Sequence, residues 1–404
     1  MKYIKKKLTI ENVNVDFIAK KYGTPTYCYS YAKLKKNIEN FKKSFKSFSP
    51  LICFAVKSNT NVNLIREIKR FGLGADVVSM GELMMAIKAG ISPKKIVFSG
   101  VGKTFEELLY AINKNIFLIN AESENEIKQI EKIAKLKKKK IEIGIRLNPN
   151  TDAKTLSQIS TGKKENKFGV NSKTFAKLVN NYKNSRNVKL KCLSVHIGSQ
   201  IIDHKPYEKM LESIAKILKK INYEFEFIDL GGGMGISYND YEKKLDYRKY
   251  CIAIKKFLNK NKSKIIFEPG RSIVGNTGTL ISKVIYVKKS ERKNFIILDA
   301  AMNDLMRPAL YGATHKLIPA LKKNKILREN HEFVGPICES TDSFLTLKKF
   351  QKLRENEIIV MCDVGAYGMS LSSNYNLRPK PIELMIKGSK IKVIKKRQKH
   401  TDFI

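Results

Sequence analysis

Tryptophan is absent, histidine occurs five times, and the six cysteines of the 404-residue chain include no C-x-x-C pair. These absences argue against zinc ribbons and disulfide frameworks. No second histidine or cysteine stands at metal-ligand spacing, so no metal site is expected. Long apolar runs are missing too: no window approaches the ~18 residues of a membrane span. The basic stretch 1–7 leads into no apolar segment, so no secretory leader is expected. A reducing cytoplasm and no membrane partner fit this pattern. Acidic residues are few, 37 against 78 Lys and Arg, which gives a net charge of +41. Yet only 12 of those 78 are Arg. Nucleic-acid surfaces draw on arginine forks and stacking aromatics. Here the lysines spread over every amphipathic segment, and the densest run, 137–140, closes a helix. Compositional drift onto solvated helix faces accounts for that distribution, and no specific nucleic-acid partner is expected.

What the chain does have is a buried-strand pattern that ends in chemistry. Leu51-Ile-Cys-Phe-Ala-Val-Lys57 is an apolar run closed by a lysine. Such runs read as strands buried on both faces. Lys57 is either a snorkelling surface lysine or an amine held at a strand mouth, where desolvation lowers its pKa and suits Schiff-base chemistry. Ahead of it, Tyr31, Leu34, Ile38, Phe41 and Phe45 step by three and four along one helix face. Strand and helix then alternate. The further strands fall at 74–78, 96–100, 116–120, 141–148, 190–196, 225–230 and 264–268. Thr104 with Glu107, and Ser123 with Glu126, form capping boxes, and Gly90 closes a helix. Eight such units over some 230 residues predict an α/β fold, a (β/α)8 TIM-like barrel, with a doubly wound sheet as the competing architecture. The strand ends read Lys57, Asp76, Ser99, Asn120, Arg146, His196, the Gly231 run and Glu268. In a barrel, chemistry gathers there.

From about 275 the rhythm changes to strands with few helices: 279–287, 295–298, 332–334, 358–362, 382–386 and 390–394. This predicts a mostly antiparallel second domain, β-sandwich or β-barrel-like, that also takes the strand at 26–29. The expected division is a barrel over 31–274 and a β domain built from 1–30 and 275–404.

Several groups are candidates for chemistry. The run Gly231-Gly232-Gly233-Met-Gly235 either cradles a phosphate with backbone amides or makes a tight turn. Its spacing fits no dinucleotide fingerprint, and Gly102-Lys103-Thr104 fails as a P-loop because Val97 stands where glycine is required. Glu268-Pro-Gly270-Arg271 offers a carboxylate able to keep a ring nitrogen protonated and a guanidinium fork. His196, in His196-Ile-Gly-Ser199, is either an ordinary satisfied polar group or a flat ring stacked on a planar cofactor. Three loops of the second domain carry further polar groups: Arg307-Pro-Ala-Leu-Tyr311, Gly335-Pro-Ile-Cys338-Glu339 and Asp363-Val-Gly-Ala-Tyr367. Cys338 is either an inert thiol or a site residue.

Taken in chain order, Phe54-Ala-Val-Lys57-Ser-Asn, His196-Ile-Gly-Ser-Gln200, the Gly231 run, Glu268-Pro-Gly-Arg271, Gly335-Pro-Ile-Cys338-Glu339 and Asp363-Val-Gly-Ala-Tyr367 resemble the alanine-racemase-fold pyridoxal-phosphate decarboxylases. Asp152-Ala-Lys-Thr, Ile159-Ser-Thr-Gly162 and Asn166-Lys-Phe-Gly169 are similar to the diaminopimelate decarboxylases within that group. The resemblance implies pyridoxal 5'-phosphate in Schiff-base linkage to Lys57. It implies Asp76, His196, Ser199, Gly232, Gly233, Glu268, Gly270, Arg271 and Tyr367 around the cofactor, with His196 stacked on the ring, glycine amides on the phosphate and Glu268 on the ring nitrogen. Arg271, Arg307 and Tyr311 would hold a substrate carboxylate. Glu339 would take the distal ammonium, Tyr367 would line the site and Cys338 would donate a proton. The implied reaction is decarboxylation of meso-2,6-diaminopimelate to L-lysine. The implied assembly is a head-to-tail homodimer, with Cys338 and Glu339 reaching the partner's barrel. An ornithine or arginine decarboxylase on the same fold, or a non-catalytic pyridoxal-phosphate-binding protein, are the alternatives.

Overall fold

The eight expected strands close on themselves. In the computed structural model, which describes all residues but Lys154, Asp240, Glu242 and Lys243 and all their side chains but that of Ser157, they are β1 (Leu51–Ala55), β2 (Gly74–Val77), β3 (Ile96–Phe98), β4 (Leu118–Ala121), β5 (Ile141–Arg146), β6 (Val188–Ser194), β7 (Phe227–Asp229) and β8 (Lys264–Phe267). Every neighbouring pair is parallel, and β8 pairs with β1, so the doubly wound alternative is excluded. The observed strands are in most cases shorter at their C-terminal ends than the apolar runs. β1 stops at Ala55, and Lys57 lies in the 3-10 turn Val56–Ser58 rather than in the strand. His196 stands two residues past the end of β6.

Side chains on a strand alternate between faces, so residues two apart share one. Val97, Leu118, Cys192, Phe227 and Ile266 pack in one apolar cluster with Cys53. Two residues further along the same strands come Ser99, Asn120, Ser194, Asp229 and Glu268, all buried. The strand period thus converts an apolar plug into a polar layer at the C-terminal end of the barrel. Gly144 on β5 makes room for it: a Cβ there would sit 2.2 Å from Asn120 Oδ1.

The helices form as their caps predict, with one difference. Thr104 and Glu107 make the reciprocal capping box of Phe105–Asn113. Ser123 accepts from Glu126 N, but the Glu126 carboxylate turns away. It accepts from Glu122 N at 2.9 Å and pairs with buried Lys103 at 2.8 Å, so this second box is only half formed. A nearby lysine outcompeted the cap. Phe41 and Phe45, on the helix Tyr31–Ser44 and just after it, pack with Tyr250 and Phe267. Fully burying each such ring contributes about 1.5–3 kcal/mol. That packing fixes Phe267 and so the position of Glu268 beside it.

The chain divides into two compact units: Ile38–Ser237 with Lys243–Ser272, which holds the barrel, and Met1–Asn37, Tyr238–Glu242 and Ile273–Ile404. The latter is built on the long strand Gly278–Lys289. Thr26–Ser30 pairs antiparallel with it and parallel with Ile382–Lys387. Asn294–Leu298, Ile358–Cys362 and Lys390–Lys395 also join antiparallel, while His331–Val334 joins parallel. The sheet is mostly antiparallel, as expected, and includes Ser343–Leu347 and Leu317–Pro319, two strands without a marked apolar pattern. Among the described residues no helix is long and apolar enough to cross a membrane.

Candidate active site

Nine of the predicted residues lie in the barrel unit. Lys57 Nζ is 2.7 Å from Asp76 Oδ2. Asp76 is fully buried, and its Oδ1 has no hydrogen-bond partner among the described residues. A buried carboxylate oxygen without a donor is costly, which points to a ligand group there.

Glu268 is a buried carboxyl at the end of β8. Burial pushes its pKa well up, the negative charges of Asp229 and Asp76 add to this, and Lys57 opposes it. It shares a hydrogen bond with Asp229, whose pKa burial also raises. Asp229 in turn accepts from Asn120 Nδ2 (2.9 Å), Ser194 Oγ (3.2 Å) and Gly231 N (2.9 Å). With so many donors on Asp229, the proton of the pair resides on Glu268. The strand analysis overlooked Asp229. Its signal was a carboxylate two residues after Phe227, on the inward face of an apolar strand.

His196 is uncharged. Burial, with the positive charges of Arg146 and Lys57, holds its pKa well below the usual imidazole range. Its Nδ1 accepts from Gly232 N at 3.1 Å, which leaves the proton on Nε2. Arg146 bonds the buried Glu122 at 2.7 Å and the His196 carbonyl at 3.4 Å. Glu122 further accepts from Gly100 and Gly169, tying three strand ends together; the sequence reading did not single it out.

The glycine run is required by packing. Gly233 has φ +87°, and a Cβ on Gly232 would meet the Glu268 carbonyl at 2.1 Å. Tyr207 donates to the Gly232 carbonyl at 3.1 Å, anchoring the run to the helix Lys205–Lys220. Across from it, Arg271 Nη2 is 3.0 Å from Ser199 Oγ, and Gly270 passes close to Ser58. Lys154, within the motif at Asp152, lies outside the described residues.

The other five predicted residues belong to the second unit. Buried Arg307 opens the short helix Arg307–Tyr311, which Gly312 closes at φ +60°. Cys338 and Glu339 are exposed. Asn376 Nδ2 lies 3.1 Å from Cys338 Sγ, and Tyr375 and Thr341 donate to Glu339. Tyr367 sits in a left-handed turn at φ +57°, a conformation bulky residues adopt rarely and mostly at functional positions. Tyr375 and Asn376 had no distinguishing sequence signal.

The barrel end supplies an amine, a protonated buried carboxyl, a neutral flat imidazole, and a guanidinium with a hydroxyl beside a glycine run. That donor set fits a planar heterocycle carrying an aldehyde, a basic ring nitrogen and a phosphate, and Asp76 Oδ1 is left for it to satisfy. These are the features of pyridoxal phosphate.

Comparison with known proteins agrees. Residues 31–275 match the family model of the pyridoxal-dependent decarboxylases, pyridoxal binding domain. Diaminopimelate decarboxylase of Helicobacter pylori is 42% identical over 390 residues, covering 95% of this chain and 96% of that protein. That of Aquifex aeolicus is 38% identical over 407 residues, covering 100% and 96%. The crystal structure of the Helicobacter pylori enzyme complexed with L-lysine superposes with a TM-score of 0.92, covering 96% of this chain and 98% of that one. With the polar barrel mouth, these matches over nearly its whole length place the chain in the pyridoxal-phosphate-dependent decarboxylases and, within them, the diaminopimelate decarboxylase family.

Proposed function

We propose that the protein is a carboxy-lyase that converts meso-2,6-diaminopimelate to L-lysine and carbon dioxide, the last step of lysine biosynthesis. The observation that carries this reading is the Lys57–Asp76 pair in a barrel mouth that also holds buried Glu268, whose pKa burial pushes well up. L-lysine, found with the Helicobacter pylori relative, is the product of this reaction.

When bound, pyridoxal phosphate supplies an electron sink for the charge left on carbon as carbon dioxide departs. The chain's own residues do the rest. Lys57 would hold the cofactor at its aldehyde carbon through Nζ, and Asp76, 2.7 Å away, would steady the Lys57 ammonium whenever that nitrogen is free. Glu268 would hold the ring nitrogen, and a carboxyl group there would keep that nitrogen protonated. The neutral ring of His196 would pack against the cofactor and exclude water. Ser199, Gly232, Gly233, Gly270 and Arg271 bind the phosphate side, and Tyr367 lines cofactor and substrate. Arg271, Arg307 and Tyr311 hold the carboxylate that is retained, and Glu339 takes its neighbouring ammonium. Cys338 Sγ returns a proton to the carbon that lost its carboxyl group. A buried arginine left without its carboxylate penalises ornithine, which has no second amino-acid end.

In this reading the barrel domain, 31–274, carries most of the cofactor site and Arg271, while the second domain, 1–30 and 275–404, supplies Arg307, Tyr311 and Glu339 for the distal end of the substrate. The working form is a cytoplasmic homodimer in which Cys338 and Glu339 serve the partner's barrel, as the family resemblance implies. Complementation tests this. Lys57→Ala and Cys338→Ala are each expected to be inactive. Mixed and allowed to exchange subunits, they should regain up to about a quarter of the wild-type carbon dioxide release, because one hybrid site in two is intact. Silence of the mixture beside an active wild type would remove the shared site; an inactive wild type would remove the reaction.

A further inference from the structure

The reaction as described makes no use of His315, yet this buried histidine is bonded to Arg307. Its Nδ1 lies 3.0 Å from the Cys362 carbonyl oxygen, and its Nε2 lies 2.8 Å from Arg307 Nη1. A carbonyl oxygen only accepts and a guanidinium only donates. One form of the ring satisfies both: neutral imidazole with its proton on Nδ1 and its lone pair on Nε2 aimed at Arg307. An imidazolium would set N–H against N–H. Tyr238 adds a second restraint. Its ring centroid is 4.7 Å from the centre of the guanidinium and 5.3 Å from the His315 ring, which it meets edge-on at 85°. His315 therefore fixes Arg307 within the guanidinium plane, and Tyr238 fixes it across that plane.

We propose that His315 is a positioning residue that sets the angle of the Arg307 fork and so tunes affinity for the amino-acid end of the substrate. This rests on the assignment of Arg307 to the retained carboxylate. A fork that recognises a carboxylate with two parallel bonds is sensitive to angle in a way a point charge is not. Binding of molecules with that carboxylate should therefore depend on His315, and binding of those without it should not.

Two inhibitors of the cofactor-loaded enzyme separate these cases: L-lysine, which has the carboxylate, and 1,5-diaminopentane, the same chain without it. His315→Asn can keep the bond to the Cys362 carbonyl but offers Arg307 no acceptor. It is expected to raise KM for diaminopimelate and Ki for L-lysine on the order of 10-fold. Its kcat should change far less, and its Ki for the diamine should stay as in wild type. His315→Gln can place an amide oxygen where Nε2 was, and should recover most of the L-lysine affinity. Equal weakening of both inhibitors, or identical behaviour of the Asn and Gln variants, would overturn the proposal and leave His315 a packing residue. If neither variant folds, Tyr238→Leu provides the same test, with selective loss of L-lysine expected and equal loss contradicting it. Arg307→Ala checks the underlying assignment: an unchanged Ki for L-lysine there would sink the reading of Arg307 itself, whatever the histidine variants do.

Discussion

Lys57→Ala is expected to lower carbon dioxide release from meso-diaminopimelate by roughly 10³-fold or more, since in the proposed reaction Lys57 is the covalent hold on the cofactor rather than one contact among many. The local structure should survive. Lys57 lies in the turn Val56–Ser58, whose packing is carried by buried Val56 and Ser58, and its own side chain is 34% exposed. The variant does leave buried Asp76 without its cation, so some stability is lost as well. Lys57→Arg separates the two effects. It restores a positive charge near Asp76 but cannot form the bond to the cofactor's aldehyde carbon, so it should fold better than the alanine variant and remain inactive. Both variants should also lose the visible absorbance of the lysine-linked cofactor. Turnover near the wild-type rate in either one would contradict the role given to Lys57.

The second large effect is expected at Glu268→Gln, a loss of about 10²-fold or more in kcat with cofactor binding retained. The amide fills the same space and can still donate to Asp229, so the polar layer of Ser99, Asn120, Ser194 and Asp229 should stay in place. What it cannot do is give up a proton and become an anion, so in the proposed role beside the ring nitrogen it would leave the electron sink weakened. The substitution also has a signature in stability. The folded pKa of Glu268 is raised, so without cofactor the folded chain holds this proton to higher pH than the unfolded chain does. Its contribution is present at low pH and is lost as pH rises above the ordinary carboxylate range towards the raised folded value. The Gln variant should lack that component, and its melting temperature relative to wild type should improve between pH 5 and pH 8. A constant difference across that range would mean that Glu268 is already ionised in the folded chain.

The barrel was legible because eight apolar runs alternate with amphipathic helices and end in residues that packing alone does not require. Apolar residues such as Phe227 and Ile266 predict where the plug lies, and Asp229 and Glu268, two residues on, mark where it stops. Glu268 stood out because a Pro-Gly-Arg sequence follows it, whereas Asp229 was hidden inside what read as one apolar strand. The offset of Lys57 from β1 had no signal, since an apolar Val56 continues the strand pattern into a turn. Groups that act through others were the least visible. Tyr238 and His315 meet around Arg307 although 69 residues separate Arg307 from Tyr238, and each alone is an unremarkable loop residue. Glu126 shows the reverse failure: the local capping signal was correct in kind, but buried Lys103 made a better partner than the backbone amide.

The most direct test of the account is a competition. The protein, loaded with pyridoxal phosphate, is given meso-diaminopimelate and L-ornithine together in equal amounts, and the products are identified by mass. The account predicts L-lysine and carbon dioxide in equal amounts, with ornithine recovered unchanged. Formation of putrescine in preference to L-lysine would contradict it, because Arg307, Tyr311 and Glu339 would then not be reading a second amino-acid end.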